Sequence, residues 1–273
     1  MKKPKYAYAI WPWGLESKDQ MVQALRDIKE IGYEAFESVE SAVDLFEGNV
    51  DEFRSIVDEY GVRPASFYFW LRGEETEDVN RIKRKMTFLS ENNVHQMSVQ
   101  APKSAGRPAT PAELRRTLRI IKRIGTIANE YDVVPCVHPH HGTLVMYENE
   151  VEFVMENTDP EYVSFGPDTA HLAAGGCDAV EMFDRHKDRI AFTHLKDLKM
   201  ESPMETDRTS DKGFDVYENF RELGEGDLDF DSIFRVLKSI NYDGYLTAEL
   251  DKSRFTNKES ALMNMRYLRA HFG

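Results

Sequence analysis

The sequence predicts an α/β fold, a single-domain (β/α)₈ barrel over residues 1–273. Three observations carry that expectation. Short apolar or β-branched runs recur eight times along the chain. Amphipathic stretches with apolar residues three and four apart separate them, the rhythm of parallel strands joined by right-handed helical crossovers. The length of 273 residues also suits a barrel, which needs about 250 residues as one domain. An open doubly wound sheet would carry a Gly-rich phosphate turn after its first strand, and none is there.

The strands are expected at Tyr6–Ile10, Ala35–Ser38, Pro64–Phe69, Gln96–Gln100, Val133–His138, Val163–Asp168, Ile190–His194 and Gly244–Glu249. In the first helix, Met21, Leu25, Ile28 and Ile31 share a face and Gly32 is the stop signal. Asn49–Tyr60 ends at Gly61 in the same way. Pro111 opens a helix at a position suited to proline, with Leu114, Leu118, Ile121 and Ile124 facing inward. The longest irregular stretch, Lys199–Asp229, contains Asp211-Lys212-Gly213 and Gly224-Glu225-Gly226-Asp227. A loop that long in a compact domain is usually functional.

Composition excludes several classes. Lys and Arg number 35 against 48 Asp and Glu, a net charge of −13. Such a chain is repelled by phosphate backbones, so no nucleic-acid partner is expected. No apolar run reaches the roughly 18 residues of a membrane span. The N-terminal MKKPKYAYAIWPWG lacks a small-residue cleavage site and is read as a buried strand, not a signal peptide. Two cysteines give no disulfide framework and no thiolate zinc site. A cytoplasmic protein is expected, and its oligomeric state is left open.

Barrels of this kind build their sites at the C-terminal ends of the strands. Strand five ends in His138-Pro139-His140-His141-Gly142-Thr143, and strand six in Asp168-Thr169-Ala170-His171. Strand seven ends in His194-Leu195-Lys196-Asp197, and strand eight in Glu249-Leu250-Asp251. Five of the eight histidines fall in these four termini. Imidazole and carboxylate without thiolate suit Mn²⁺, Fe²⁺, Co²⁺ or Zn²⁺ with positions open to substrate oxygens.

Each residue also has a plainer reading. His140 and His141 fit a rigid loop, Asp168 a helix cap, Glu249 an ion pair and Lys196 a pair with Asp197. Trp11, Trp13, Tyr68, Phe69 and Trp70 close strands one and three; their ring faces suit either core packing or the C–H face of a sugar. Glu37 and Gln100 are candidate hydroxyl contacts at strands two and four. Arg221 and Glu225 lie on the long loop, either as a lid over substrate or as a solvated surface.

The segments His138–Thr143, Asp168-Thr-Ala-His-Leu-Ala173, His194-Leu-Lys-Asp197, Gly224-Glu-Gly-Asp-Leu-Asp-Phe230 and Tyr242–Glu249 resemble the xylose-isomerase-like TIM-barrel superfamily of sugar isomerases, epimerases and dehydratases. Within it they look most like the inosose (2-keto-myo-inositol) dehydratases, over residues 130–270. The resemblance implies a divalent metal (Mn, Co, Fe or Zn) on Asp168, His194 and Glu249, with His138 where the family has a strand-five Glu. That departure weighs against a two-glutamate proton shuttle and leaves a metal-assisted β-elimination on a keto-cyclitol or keto-sugar. His140 or His171 would be the base or acid, and Lys196 would hold the enediolate. The alternatives are an isomerase or epimerase, a 3-keto-glycoside lyase, and a sugar-binding protein on a degenerate barrel. An abasic-site endonuclease shares the fold, but the charge opposes it.

Overall fold

In the computed structural model, residues 4–200 and 216–272 are described. Eight strands run parallel: Lys5–Ala9, Ala35–Val39, Arg63–Trp70, Gln96–Gln100, Val134–His138, Ser164–Phe165, Thr193–Leu195 and Tyr245–Ala248. Their order is six, five, four, three, two, one, eight, seven. Strands six and seven, at the two edges, meet through single bridges, Phe165 to Ile190 and Asp168 to His194. The His194 amide donates to the Pro167 carbonyl at 2.9 Å. The expected (β/α)₈ barrel is therefore the fold. Strands six and seven are shorter than expected because they share only these bridges, and Pro167 has no N–H to extend the ladder.

The helices start and stop on chemistry visible in the sequence. Lys18–Ile31 opens with a reciprocal cap between Ser17 and Gln20 and closes at Gly32, whose φ of 102° only glycine adopts readily. It buries Met21, Leu25, Ile28 and Ile31 as expected. Pro111–Asn129 is capped by Thr110 and Glu113. Its inner face is turned slightly from the expected one: Thr117 and Ile120 are buried and Leu118 is half-exposed. Leu118 lies at the edge of the stripe centred on Ile121 and Ile124, so the smaller Thr117 faces the barrel.

Part of the stretch read as irregular is ordered. Val216–Asn219 is a short helix, and Phe220–Arg221 pairs antiparallel with Asp197–Leu198. Asp211-Lys212-Gly213 lies outside the described residues. The Asp197 carboxylate accepts the amides of Leu198 (2.8 Å), Gly224 (3.0 Å), Gly226 (3.0 Å) and Leu228 (3.2 Å). A Cβ on Gly226 would collide with Asp197 Oδ1. The His-Leu-Lys-Asp and Gly-Glu-Gly-Asp segments thus form one structural clasp that fixes the backbone just after Lys196. Cys136 and Cys177 are buried and not joined in a disulfide. Among the described residues no helix is long and apolar enough to cross a membrane.

Candidate active site

Four strand ends bring the predicted donors to one end of the barrel. His138 and His194 face each other, their Nδ1 atoms 2.8 Å apart. Asp168 divides its carboxylate between two tasks. Oδ1 caps the helix Thr169–Ala174 by accepting the His171 amide at 2.7 Å, while Oδ2 has no hydrogen bond. Glu249 gives Oε1 to Lys196 at 2.6 Å, and its Oε2, 3.7 Å from His194 Nδ1, is unpartnered. The Nε2 of His138 is unpartnered too. Donor atoms of His138, Asp168 and His194 lie within 4.8 Å of one another. Buried polar atoms without partners are uncommon in folded chains. Three of them on a mixed imidazole–carboxylate set match what a divalent metal requires.

Lys196 occupies the other side of this cluster and is fully buried. Its ammonium donates to Glu249, to Asp251 at 2.9 Å and to His171 Nε2 at 3.1 Å, and lies 3.5 Å from Asp168. Burial opposes its charge, but Asp168, Asp251 and Glu249 outweigh burial and hold it protonated. Burial pushes the Asp168 and Glu249 carboxyls up to about 7, with Lys196 pulling the other way. Burial drives His138 and His171 well below their ordinary value and His140 down to about 4, with positive neighbours adding to each. All three imidazoles are therefore neutral at pH 7 and carry a lone pair.

His140 is the histidine that reaches the cavity. Its Nδ1 donates to the His141 carbonyl at 2.8 Å, leaving the Nε2 lone pair free for a proton. Its ring lies against His171, centroids 3.7 Å apart, and His171 sits behind it, fully buried against Lys196. The cavity holds about 320 Å³. Its polar end is formed by His140, Glu249 and Asp251, its apolar wall by Trp11, Tyr68 and Trp70. Tyr68 stands edge-on to Trp11 at 5.7 Å and donates to Gln100 at 2.7 Å.

Most of the residues singled out in the sequence converge here; five do not. Trp13 donates its indole N–H to Asp27 at 2.9 Å, and Phe69 is buried in the core, so neither lines the cavity. Glu37 lines no part of the cavity: it is fully buried, with its carboxylate on Ser66, Ser98 and His194. Arg221 turns its guanidinium to the carbonyls of Glu218 and Phe220. Glu225 is exposed on the turn that Asp197 holds, so of the two readings, lid or solvated surface, its described position fits the second. Lys196 does not pair with Asp197, because consecutive residues in extended chain point to opposite sides. Asp251 and Glu16, which also line the cavity, were not singled out. The two-residue spacing from Glu249 to Asp251 was the available signal, since such residues share a side at a strand end.

Known proteins are similar to this chain in sequence and in fold. An inosose dehydratase of Clostridium perfringens is 30% identical over 183 residues, covering 66% of this chain and 62% of that protein's length. An inosose dehydratase of Geobacillus kaustophilus is 27% identical over 250 residues, 84% of this chain and 80% of that one. The structure of the IOLI protein with a bound zinc atom superposes with a TM-score of 0.78 at 14% identity, covering 98% of each chain. Residues 25–271 match the family described as Xylose isomerase-like TIM barrel. The chain belongs to the xylose isomerase-like TIM barrel family.

Proposed function

We propose that this protein is a metal-dependent dehydratase that removes water from an uncharged keto-cyclitol or keto-sugar. The observation that carries the reading is the junction of a metal-type donor set with a neutral, cavity-facing His140. The similarity to inosose dehydratases supports the same class of reaction. His138, Asp168, His194 and Glu249 would hold the divalent ion, and zinc in the IOLI protein is a precedent on this fold. When bound, the metal supplies Lewis-acid polarisation of the substrate carbonyl, which acidifies the adjacent C–H.

The chain's own residues do the rest. Trp11, Tyr68 and Trp70 offer ring faces to the C–H surface of the substrate. Glu16, Glu249 and Asp251 line the cavity with acid, and among the described residues no Lys or Arg lines it. This lining repels phosphate and carboxylate groups and favours hydroxyls. His140 Nε2 takes the proton α to the carbonyl, and the electron pair becomes the enolate. Its collapse to the new C=C expels the β-hydroxyl, which leaves as water with the proton His140 returns. Lys196 lies behind this wall, and its fixed charge offsets the three carboxylates around it. His171 holds the ring of His140 from behind.

An epimerase would need a second carboxylate facing Glu249 across the substrate; neutral His138 stands at that strand end instead. The test is a screen of keto-inositols and 3-keto-glycosides, scored by the absorbance of an unsaturated diketone. Dehydration of an uncharged ketone, suppressed by chelator, supports the reading. Epimerisation without water loss overturns it.

A further inference from the structure

Barrel interiors are packed mainly by branched apolar side chains. This one instead carries a glutamate and two serines on neighbouring strands: Glu37 on strand two, Ser66 on strand three and Ser98 on strand four, each fully buried or nearly so. An isolated carboxylate buried in this way is strongly destabilising unless its oxygens are satisfied. Here they are. Both serine hydroxyls donate to Oε1, at 2.8 and 2.6 Å, and Oε2 receives the Nε2–H of His194 from across the barrel. The serines orient the carboxylate, and the carboxylate orients the imidazole.

We infer that Glu37 is a positioning residue of the metal centre: it fixes the tautomer and the ring plane of His194 so that Nδ1 is presented to the ion. This rests on the metal-centred reading above. The fixed Nε2–H leaves His194 Nδ1 as the lone pair, and that atom faces His138 Nδ1 at 2.8 Å and Glu249 Oε2 at 3.7 Å. A carboxylate behind a ligating imidazole also raises the basicity of the donor nitrogen, and losing such a partner typically weakens metal binding by about 10- to 100-fold. Ser66 and Ser98 leave room for Glu37 as well as bonding to it; larger side chains would push it out of reach.

The experiment is a Co²⁺ titration of metal-free protein, followed by the visible absorption of the bound ion, for wild type, Glu37→Gln, Glu37→Asp and Ser98→Ala. Wild type binds one ion. Glu37→Gln raises Kd by at least about 10-fold and shifts the Co²⁺ band; Ser98→Ala gives a smaller change in the same direction. Glu37→Asp recovers part of the affinity. A purely structural role would move the unfolding midpoint of the metal-free protein and leave the band of the bound ion where it is. If Glu37→Gln does not fold, Ser98→Ala decides by the same two readouts. Unchanged affinity and spectrum in the folded variant overturn the inference alone. Failure of wild-type protein to bind Co²⁺ overturns the metal reading and this inference with it.

Discussion

The two halves of the barrel end contribute different things. Strands five to eight supply His138, His140, Asp168, His194, Lys196 and Glu249, donors and acceptors packed into a nearly dry cluster. Strands one to four supply Trp11, Tyr68, Trp70 and Gln100 around the cavity, with Glu37 reaching across beneath them. One half is built for charge and proton transfer, the other for shape and apolar contact. On the proposed function, the first half sets the reaction and the second sets what is admitted. This division can be tested by asking which kinetic constant each half controls.

The largest effect is expected at His140. Replacing His140 with Ala removes the base and lowers kcat by about 10²- to 10⁴-fold, with the metal content unchanged. A fall of less than tenfold would move the proton transfer to another side chain. Trp11→Ala should show the opposite pattern, with KM raised by about tenfold and kcat within a few-fold of wild type. A kcat loss at Trp11 as large as that at His140 would break the comparison between the halves.

Smaller effects belong to the scaffold on the chemical side. Gly226→Ala forces a Cβ onto Asp197, whose carboxylate is already committed to four amides. A loss of about 1–3 kcal/mol in unfolding free energy is expected; an unchanged denaturation midpoint would show that the clasp is slack. The smallest effect lies on the recognition half. Arg107, with the cap at Thr110, holds the exposed Glu113 carboxyl at about 2, below its ordinary 4.5. A depressed folded pKa contributes stability above the ordinary value and loses it as pH falls. The difference in melting temperature between wild type and Glu113→Gln should therefore shrink between pH 4.5 and about 2. A constant difference across that range would contradict the pairing.

The two halves also differed in how far they could be read from sequence. The chemical half was legible because its residues cluster in short segments at strand ends, and strand ends in a barrel converge. The helix limits at Gly32 and Pro111 were legible because local backbone chemistry sets them. Glu37 was placed near the substrate when it lies beneath His194, a partner 157 residues away; no local pattern reports such a contact. Arg221 and Glu225 read equally as a lid or a solvated surface, because a polar Gly-rich stretch does not show that Asp197 holds it. Asp168 is compatible with a plain reading and a chemical one together, since one oxygen caps a helix and the other has no hydrogen bond.

The proposed mechanism makes dehydration depend on the metal, and one measurement addresses both. Purified protein is assayed for water loss from a keto-inositol, stripped with chelator, assayed again, and then reloaded with Mn²⁺, Co²⁺, Fe²⁺ or Zn²⁺ in turn. Turnover is expected to vanish on stripping and to return with at least one of these ions at one equivalent per chain. Turnover that persists in fully stripped protein would contradict that mechanism.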